Sequence, residues 1–317
     1  MVSIFSIAPM VDWTNTHFRN LMRYIAPQVL LYTEMHSTWA IEHNANAILS
    51  YNVRELPLAL QLGGSSPEAL ANCAVLAEKH GFSEVNLNLG CPSSKVQAAK
   101  FGVCLMREVN VVNHCIVAMK QAVTIPVSAK IRIGIDKQDD YAFFSDFVAN
   151  LINAGCDKII IHARKAWSRG LNPKQNRTVP PLHYEYVYRI KSEFPAHPII
   201  INGNIACLDE IQQHLAMNVD GVMLGRLACC NPYALAGIHK FFYPKISIKS
   251  RAEVMRNYLD YMRTQLDIDV PWSVLLKPLF NLTHGMHGAR RWRDLLMQAQ
   301  RSKQWLFLDQ ALRQILI

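Results

Sequence analysis

Cys91 stands in the stretch Asn86-Leu-Asn88-Leu-Gly90-Cys91-Pro92-Ser93, where a β-prone run gives way to a glycine and then a proline. Proline lacks an amide hydrogen and cannot continue a strand, so the thiol belongs to a loop at a strand end. A free cysteine is most often a small buried hydrophobe. On such a loop a reactive role stands beside that bland one. Lys130 and His162 close two other β-prone runs, and neighbouring strands could point both at one ligand. A lysine there is compatible with a Schiff-base aldolase or with holding an electron-rich ring, and spacing does not decide between them. Asn202-Gly203 and Gly225-Arg226 close the last two runs. Glycines let backbone amides approach a phosphate closely, and two such turns in succession favour an anion over plain strand-to-helix turns.

The elements that would carry these residues are legible as periodicity. Near-continuous apolar runs span Ile4 to Ala8, Val29 to Thr33, Leu58 to Leu62, Glu84 to Leu89, Val127 to Arg132, Lys158 to His162, Pro198 to Ile201 and Gly221 to Leu224. Runs without alternation are what parallel strands buried on both faces look like. Between them lie amphipathic helices, with Phe18, Leu21, Met22 and Ile25 on one face, Val112, Cys115, Ile116 and Met119 on another, and Phe144, Phe147, Val148 and Leu151 on a third. Ser66-Pro67 and Asn231-Pro232 read as helix starts, and Gly81 and Gly155 as helix stops. Eight β/α units predict an α/β fold, a (β/α)8 TIM barrel. The competing doubly wound sheet lacks its GxGxxG turn after the first strand.

In such a barrel the chemistry sits where strands end. The ends of successive runs carry Pro9-Met10, Glu34, Gln61, Asn88 with Cys91, Lys130 with Arg132, His162, Asn202-Gly203 and Gly225-Arg226. Polar residues or glycines at every mouth position exceed what packing asks for. From about Lys245 the strand signal stops and only helical spacing remains, which predicts residues 1–244 as the barrel and 245–317 as a small C-terminal helical bundle domain.

Composition limits the partners. The chain has 317 residues, half of them hydrophobic, enough for a barrel-sized core and a small second unit. Lys and Arg outnumber Asp and Glu by 33 to 24, a net charge of +9, and from Arg251 onward the ratio is ten to six. A polyanionic partner is plausible on that balance. The eight cysteines form no CxxC pair, so no metal is expected, and a reducing cytoplasm fits best. No window reaches the roughly 20 apolar residues of a membrane span, and nothing implies an obligate protein partner.

Taken together, Ala8-Pro-Met-Val-Asp-Trp13, Leu31-Tyr-Thr-Glu-Met35, Ala59-Leu-Gln-Leu-Gly-Gly64, Asn86 to Ser93, Phe101-Gly-Val-Cys-Leu-Met106, Lys130-Ile-Arg-Ile-Gly134, Ile160-Ile-His-Ala-Arg164 and Gly221-Val-Met-Leu-Gly-Arg226 resemble the tRNA-dihydrouridine synthases along the whole barrel. His162 to Trp167, Gly170 to Arg177, Pro180-Pro-Leu182 and, more weakly, Gly288 to Trp292 look like the family's bacterial A subtype. The resemblance implies FMN as cofactor, NADPH as reductant and tRNA as substrate, with uridines 20 and 20a of the D-loop reduced to 5,6-dihydrouridine. It places Pro9, Met10, Val11 and Gln61 near the isoalloxazine and Lys130 on the ring. His162, Asn202, Gly203 and Asn204 fall on the phosphate side, and Gly225 and Arg226 on the phosphate. Asn204 departs from the family, which usually has a second glycine there; asparagine tolerates positive φ better than most residues.

The resemblance makes Cys91 the acid that gives C5 of the uracil its proton, and Asn88 a partner of the base. The base must leave its stack to reach such a pocket. For the RNA backbone, the run from Arg164 to Arg177 holds Arg164, Lys165, Arg169, Lys174 and Arg177 with no acid, beside Trp167, and Arg290, Arg291 and Arg293 with Trp292 form a second patch. Lys174, Arg177, Arg290 and Arg293 are the residues expected to touch tRNA. Three rivals remain open: an FMN-dependent barrel oxidoreductase acting on a free pyrimidine or other small molecule, a Schiff-base aldolase using Lys130, and a non-catalytic RNA-binding barrel.

Overall fold

Eight strands, β1 (Ile4–Ile7), β2 (Leu31–Ser37), β3 (Leu58–Gly63), β4 (Glu84–Asn88), β5 (Val127–Arg132), β6 (Lys158–His162), β7 (Ile199–Asn202) and β8 (Gly221–Leu224), form one sheet in the computed structural model, which describes residues 3–315. Their order is β1-β8-β7-β6-β5-β4-β3-β2, with every pair parallel. The two ends of that order meet. Ser6 bridges Leu30, Ile7 N donates to Leu30 O at 3.0 Å, and Leu30 N donates to Phe5 O at 3.1 Å. The sheet thus closes into the (β/α)8 barrel that the eightfold pattern predicts.

The helical faces read from spacing are the buried ones. Phe18, Leu21, Met22 and Ile25 pack under helix Thr16–Ile25, Val112, Cys115, Ile116 and Met119 under Val109–Ala122, and Phe144, Phe147, Val148 and Leu151 under Tyr141–Asn153. The Ser66 hydroxyl accepts from Ala69 N at 3.3 Å and caps helix Pro67–Lys79. Gly81 and Gly155 follow helix ends at φ 81° and 90°, the left-handed region where a side chain is strained.

Two expectations shift. β2 does not end at Thr33 but runs to Ser37, with its register broken between Tyr32 and Met35. The Thr33 hydroxyl bonds to Glu34 O at 2.6 Å and accepts from Gln61 N at 3.1 Å, filling the gap in the ladder. Asn231-Pro232 does not start a helix at once: their carbonyls take Ala234 N and Leu235 N, both at 3.1 Å, in a tight turn, and the helix spans Ala234–Phe242.

From Arg251 onward the described chain is helical: Arg251–Leu266, Trp272–Leu276, Ala289–Ser302 and Leu306–Gln314. Ser250 and Glu253 close a capping box on the first of these. Their shared core is tied by polar rims, Tyr258 Oη to Leu275 O at 2.7 Å and Trp292 Nε1 to Leu279 O at 2.9 Å. The helices pack on the barrel beside helix Thr16–Ile25, where His17 Nδ1 meets Tyr261 Oη at 2.8 Å. They also reach the segments that follow strand ends: Lys277 Nζ donates to Asp12 O at 2.6 Å on the loop after β1, and Asn281 Nδ2 to Cys229 O at 2.9 Å in helix Arg226–Cys230 after β8. The helical segment therefore borders the mouth of the barrel.

Candidate active site

Strand alternation turns Glu84, Asn86 and Asn88 of β4 toward the same side, and a buried hydrogen-bond chain climbs across them from the barrel floor. The Glu84 carboxylate pairs with Lys158 and accepts Tyr32 Oη at 2.7 Å and Ser128 Oγ at 2.5 Å. Ser128 Oγ accepts from Asn86 Nδ2 at 2.7 Å, Asn86 Oδ1 from Gln61 Nε2 at 2.8 Å, and Gln61 Oε1 from Asn88 Nδ2 at 2.9 Å. Asn88 Oδ1 accepts from Gly90 N at 3.2 Å and Cys91 N at 3.0 Å. An ionised carboxylate only accepts and a backbone N–H only donates, so the two ends of the chain give every side-chain amide one orientation. At the mouth Asn88 has its oxygen occupied and only an N–H left to offer. The Glu84–Lys158 pair is the foundation, and breaking a buried pair on one side costs about 3–5 kcal/mol.

Cys91 is half-buried on the loop that this chain holds. Its carbonyl accepts from Val103 N at 3.0 Å, and a Cβ on Gly102 would stand 2.7 Å from it, so Gly102, at φ 77°, is required by close approach. Burial pushes the thiol above its ordinary pKa, against the pull of Arg132, Arg177 and Lys130. The sulfur is therefore protonated at neutral pH and can give a proton away.

Lys130, His162 and Asn202 converge one strand further round. Lys130 Nζ donates to Asn202 Oδ1 at 3.0 Å, and Asn202 Nδ2 donates to Met223 O at 2.8 Å. Burial, with Arg132 adding to it, lowers the lysine to about 7. Burial and then the charges of Arg132, Lys130, Arg164 and Arg226 hold His162 well below its ordinary value, so the ring is neutral. Its Nδ1 is buried and has no partner among the described residues. Asn204 adopts φ 56°, the left-handed geometry available to asparagine, and its Oδ1 accepts from Arg226 at 2.5 Å. Gly225 is open, its nearest neighbours being Ala8 and the Met10 sulfur at 3.8 and 3.9 Å from an added Cβ. Pro9 and Met10 are half-buried beside it, while Val11 is exposed on the loop after β1. An unpartnered imidazole, a lysine of lowered basicity and the Arg226–Asn204 pair over the ends of β7 and β8 fit a ligand with a polar ring and an anionic tail.

The two basic patches need correction. The run from Arg164 to Arg177 has no acid in sequence, yet the loop after β5 supplies two in space: Lys165 Nζ pairs with Asp139 at 2.5 Å, and Asp136 accepts Ser168 N at 2.8 Å and Arg107 at 2.6 Å. Arg164 is buried with its guanidinium on Pro180 O. Arg169, Lys174 and Arg177 stay exposed, and Arg177 lies close enough to Cys91 for the two to bias each other's protonation. Trp292 is 0% exposed and belongs to the core, so the second patch is Arg290, Arg291 and Arg293 alone, all exposed.

Two residues hold the site together: Arg132, which the sequence placed at a strand end without a role, and Asn176, which it did not single out. Arg132 donates to Gly90 O at 2.9 Å, Lys165 O at 2.9 Å and Asn176 O at 3.0 Å, joining the Cys91 loop to the basic loop. Asn176, fully buried, accepts from Trp167 N at 2.7 Å and returns Nδ2 to Trp167 O at 3.0 Å. Arg132 had a signal, an arginine two residues beyond Lys130 on an inward-facing strand; Asn176 had none.

Fold and mouth together define a class, the (β/α)8 barrels with a cationic anion-ready rim over strands seven and eight, here set beside a protonated thiol. Within it the chain belongs to the dihydrouridine synthase family: the family model described as "Dihydrouridine synthase (Dus)" matches residues 6–316. A protein of Shewanella oneidensis named tRNA-dihydrouridine(20/20a) synthase is 48% identical over 295 residues, 93% of this chain and 88% of that protein. Proteins of the same name from Vibrio cholerae and Xanthomonas campestris are 46% identical over 290 residues and 42% over 309, covering 91% and 96% of this chain and 88% and 92% of theirs.

Proposed function

We propose that the chain is a tRNA-dihydrouridine synthase that reduces the C5–C6 double bond of uridines 20 and 20a in the tRNA D-loop, with FMN as cofactor and NADPH as reductant. The observation that carries this reading is a protonated Cys91 held by Asn88 at a mouth whose neighbouring strand ends suit an anion-tailed ring. The names of the relatives supply the substrate. Pro9, Met10, Val11, Gln61 and Lys130 would hold the flavin ring, with His162 and Asn202 beside it. Gly203, Asn204, Gly225 and Arg226 would hold the phosphate. FMN, when bound and recharged by NADPH, supplies the hydride that C6 receives. Cys91 Sγ–H gives C5 its proton, so that one hydride and one proton complete the reduction. Asn88 offers an N–H to a carbonyl of the base, and the closed hydrogen-bond chain beneath it keeps that donor from turning.

Residues 245–317 and the exposed Lys174 and Arg177 would carry the tRNA backbone. No helix among the described residues is long and apolar enough to cross a membrane, and a tRNA substrate places the work in the cytoplasm. The protein should purify yellow and release FMN on heat denaturation. It should then form dihydrouridine in unmodified tRNA but not in a transcript with cytidine at 20 and 20a. Release of FAD or of no flavin overturns the cofactor, and reduction of free uridine as fast as tRNA returns the small-molecule reading.

A further inference from the structure

Beside the ring of strand ends, a cavity of about 410 Å³ opens between the ends of β2 and β3 and the segment that follows Cys91. Its walls are Trp39 at the start of helix Thr38–Ile48, the turn Gly63-Gly64-Ser65-Ser66, and Phe101. Trp39 is 66% exposed, yet it is held: its indole stacks on His43 with centroids 4.3 Å apart at 28°, and His43 Nδ1 lies 2.7 Å from Trp39 O. One face of the ring is backed by an imidazole, and the side chain borders an open space.

The cavity's lining residues neighbour those of the candidate active site along the chain. Gly63 follows Gln61 by two residues on β3. Phe101 adjoins Gly102, where an added Cβ would stand 2.7 Å from the Cys91 carbonyl. None of the lining residues is charged, while the exposed Lys100 lies in the chain between the lining residues Ala99 and Phe101. Neutral walls suit a nucleobase and not the paired phosphates of a dinucleotide, and a single cation in that stretch suits one phosphodiester. A strand that delivers one base to a pocket must unstack its neighbours, and aromatic faces are where unstacked bases lie.

We propose that this cavity is a second nucleobase site, in which the nucleotide flanking the target uridine places its base on Trp39 and its phosphate toward Lys100. The proposal rests on the RNA-reducing reading above and adds to it a contact that governs tRNA affinity rather than chemistry. Stacking on one aromatic ring is sequence-tolerant, so the site would tolerate any base.

The test compares the flavin-loaded wild type with Trp39→Ala and Trp39→Phe. Trp39→Ala should weaken tRNA binding and raise KM for tRNA about tenfold, with Trp39→Phe recovering most of the loss. The single-turnover rate at saturating tRNA and KM for NADPH should not move. A tRNA carrying an abasic nucleotide on one side of the target should show the same loss with wild type and no further loss with Trp39→Ala. Unchanged tRNA affinity in Trp39→Ala, or losses that multiply with both flanking abasic tRNAs, overturns the site. A rise in KM for NADPH alone assigns the cavity to the reductant and overturns it equally. If wild type makes no dihydrouridine in tRNA, the proposed function fails instead, and that result is read on the wild type alone.

Discussion

Of the eight free cysteines, Cys91 has its backbone N–H and C=O both anchored while its thiol sits among Arg132, Arg177 and Lys130. Removing the sulfur should leave flavin and tRNA binding intact. Oxidation of the reduced flavin by tRNA in single turnover should slow by about 10²- to 10⁴-fold in Cys91→Ala, the usual contribution of a general acid; wild-type rates would return the residue to a structural role. Lys130 should write a pH dependence on the cofactor. Its ammonium form, which attracts an electron-rich ring, prevails below its lowered value of about 7 and is lost as pH rises through it. FMN affinity of the apoprotein should therefore be full near pH 6 and fall about tenfold by pH 8. Lys130→Met should flatten that profile in a fluorescence titration, and an unchanged slope in the variant would assign the pH dependence to another group.

Among the elements, the loop from Arg164 to Arg177 shows how charge in sequence and charge in space part. Five basic residues in a row looked free, but Lys165 pairs with Asp139, 26 residues away, and Arg164 is buried under Pro180. What remains exposed near the mouth is Arg169, Lys174 and Arg177. Changing Lys174 and Arg177 together to Ala should lower the slope of log K against log salt for tRNA by about one to two units, since each lost phosphate contact removes roughly 0.7 to 0.9. NADPH oxidation by a small acceptor should stay intact as the control for folding. If slope and affinity are both unchanged, the loop is a solvated face and Arg290 and Arg293 become the main backbone contacts. The strands were easier to read than this loop. A parallel strand buried on both faces announces itself as an apolar run, and only β2 misled, because beyond its bulge Met35 to Ser37 resume pairing after the apolar run has ended.

At the scale of the molecule, the helical segment is placed by contacts with helix Thr16–Ile25, the loop after β1 and the short helix Arg226–Cys230 after β8 rather than with the sheet. Lys277 reaches Asp12, Asn281 reaches Cys229, and Tyr261 meets His17. These bonds hold the helical segment, with its exposed Arg290, Arg291 and Arg293, against the segments that follow β1 and β8. The sequence alone determined the number of strands, the buried helix faces, and which residues stand at strand ends, because each of these is a local matter of period two, period 3.6 or a turn residue. Only the tertiary structure decided what those residues meet. Glu84 finds Tyr32 across 52 positions and Lys158 across 74, and the chain they anchor decides which end of Asn88 faces the mouth. Trp292 stands among arginines in sequence, yet its spacing with Leu295, Leu296 and Ala299 marks the buried face of Ala289–Ser302; what only the tertiary structure decided is its partner there, Leu279, whose carbonyl takes Trp292 Nε1 at 2.9 Å because packing brings distant helices together.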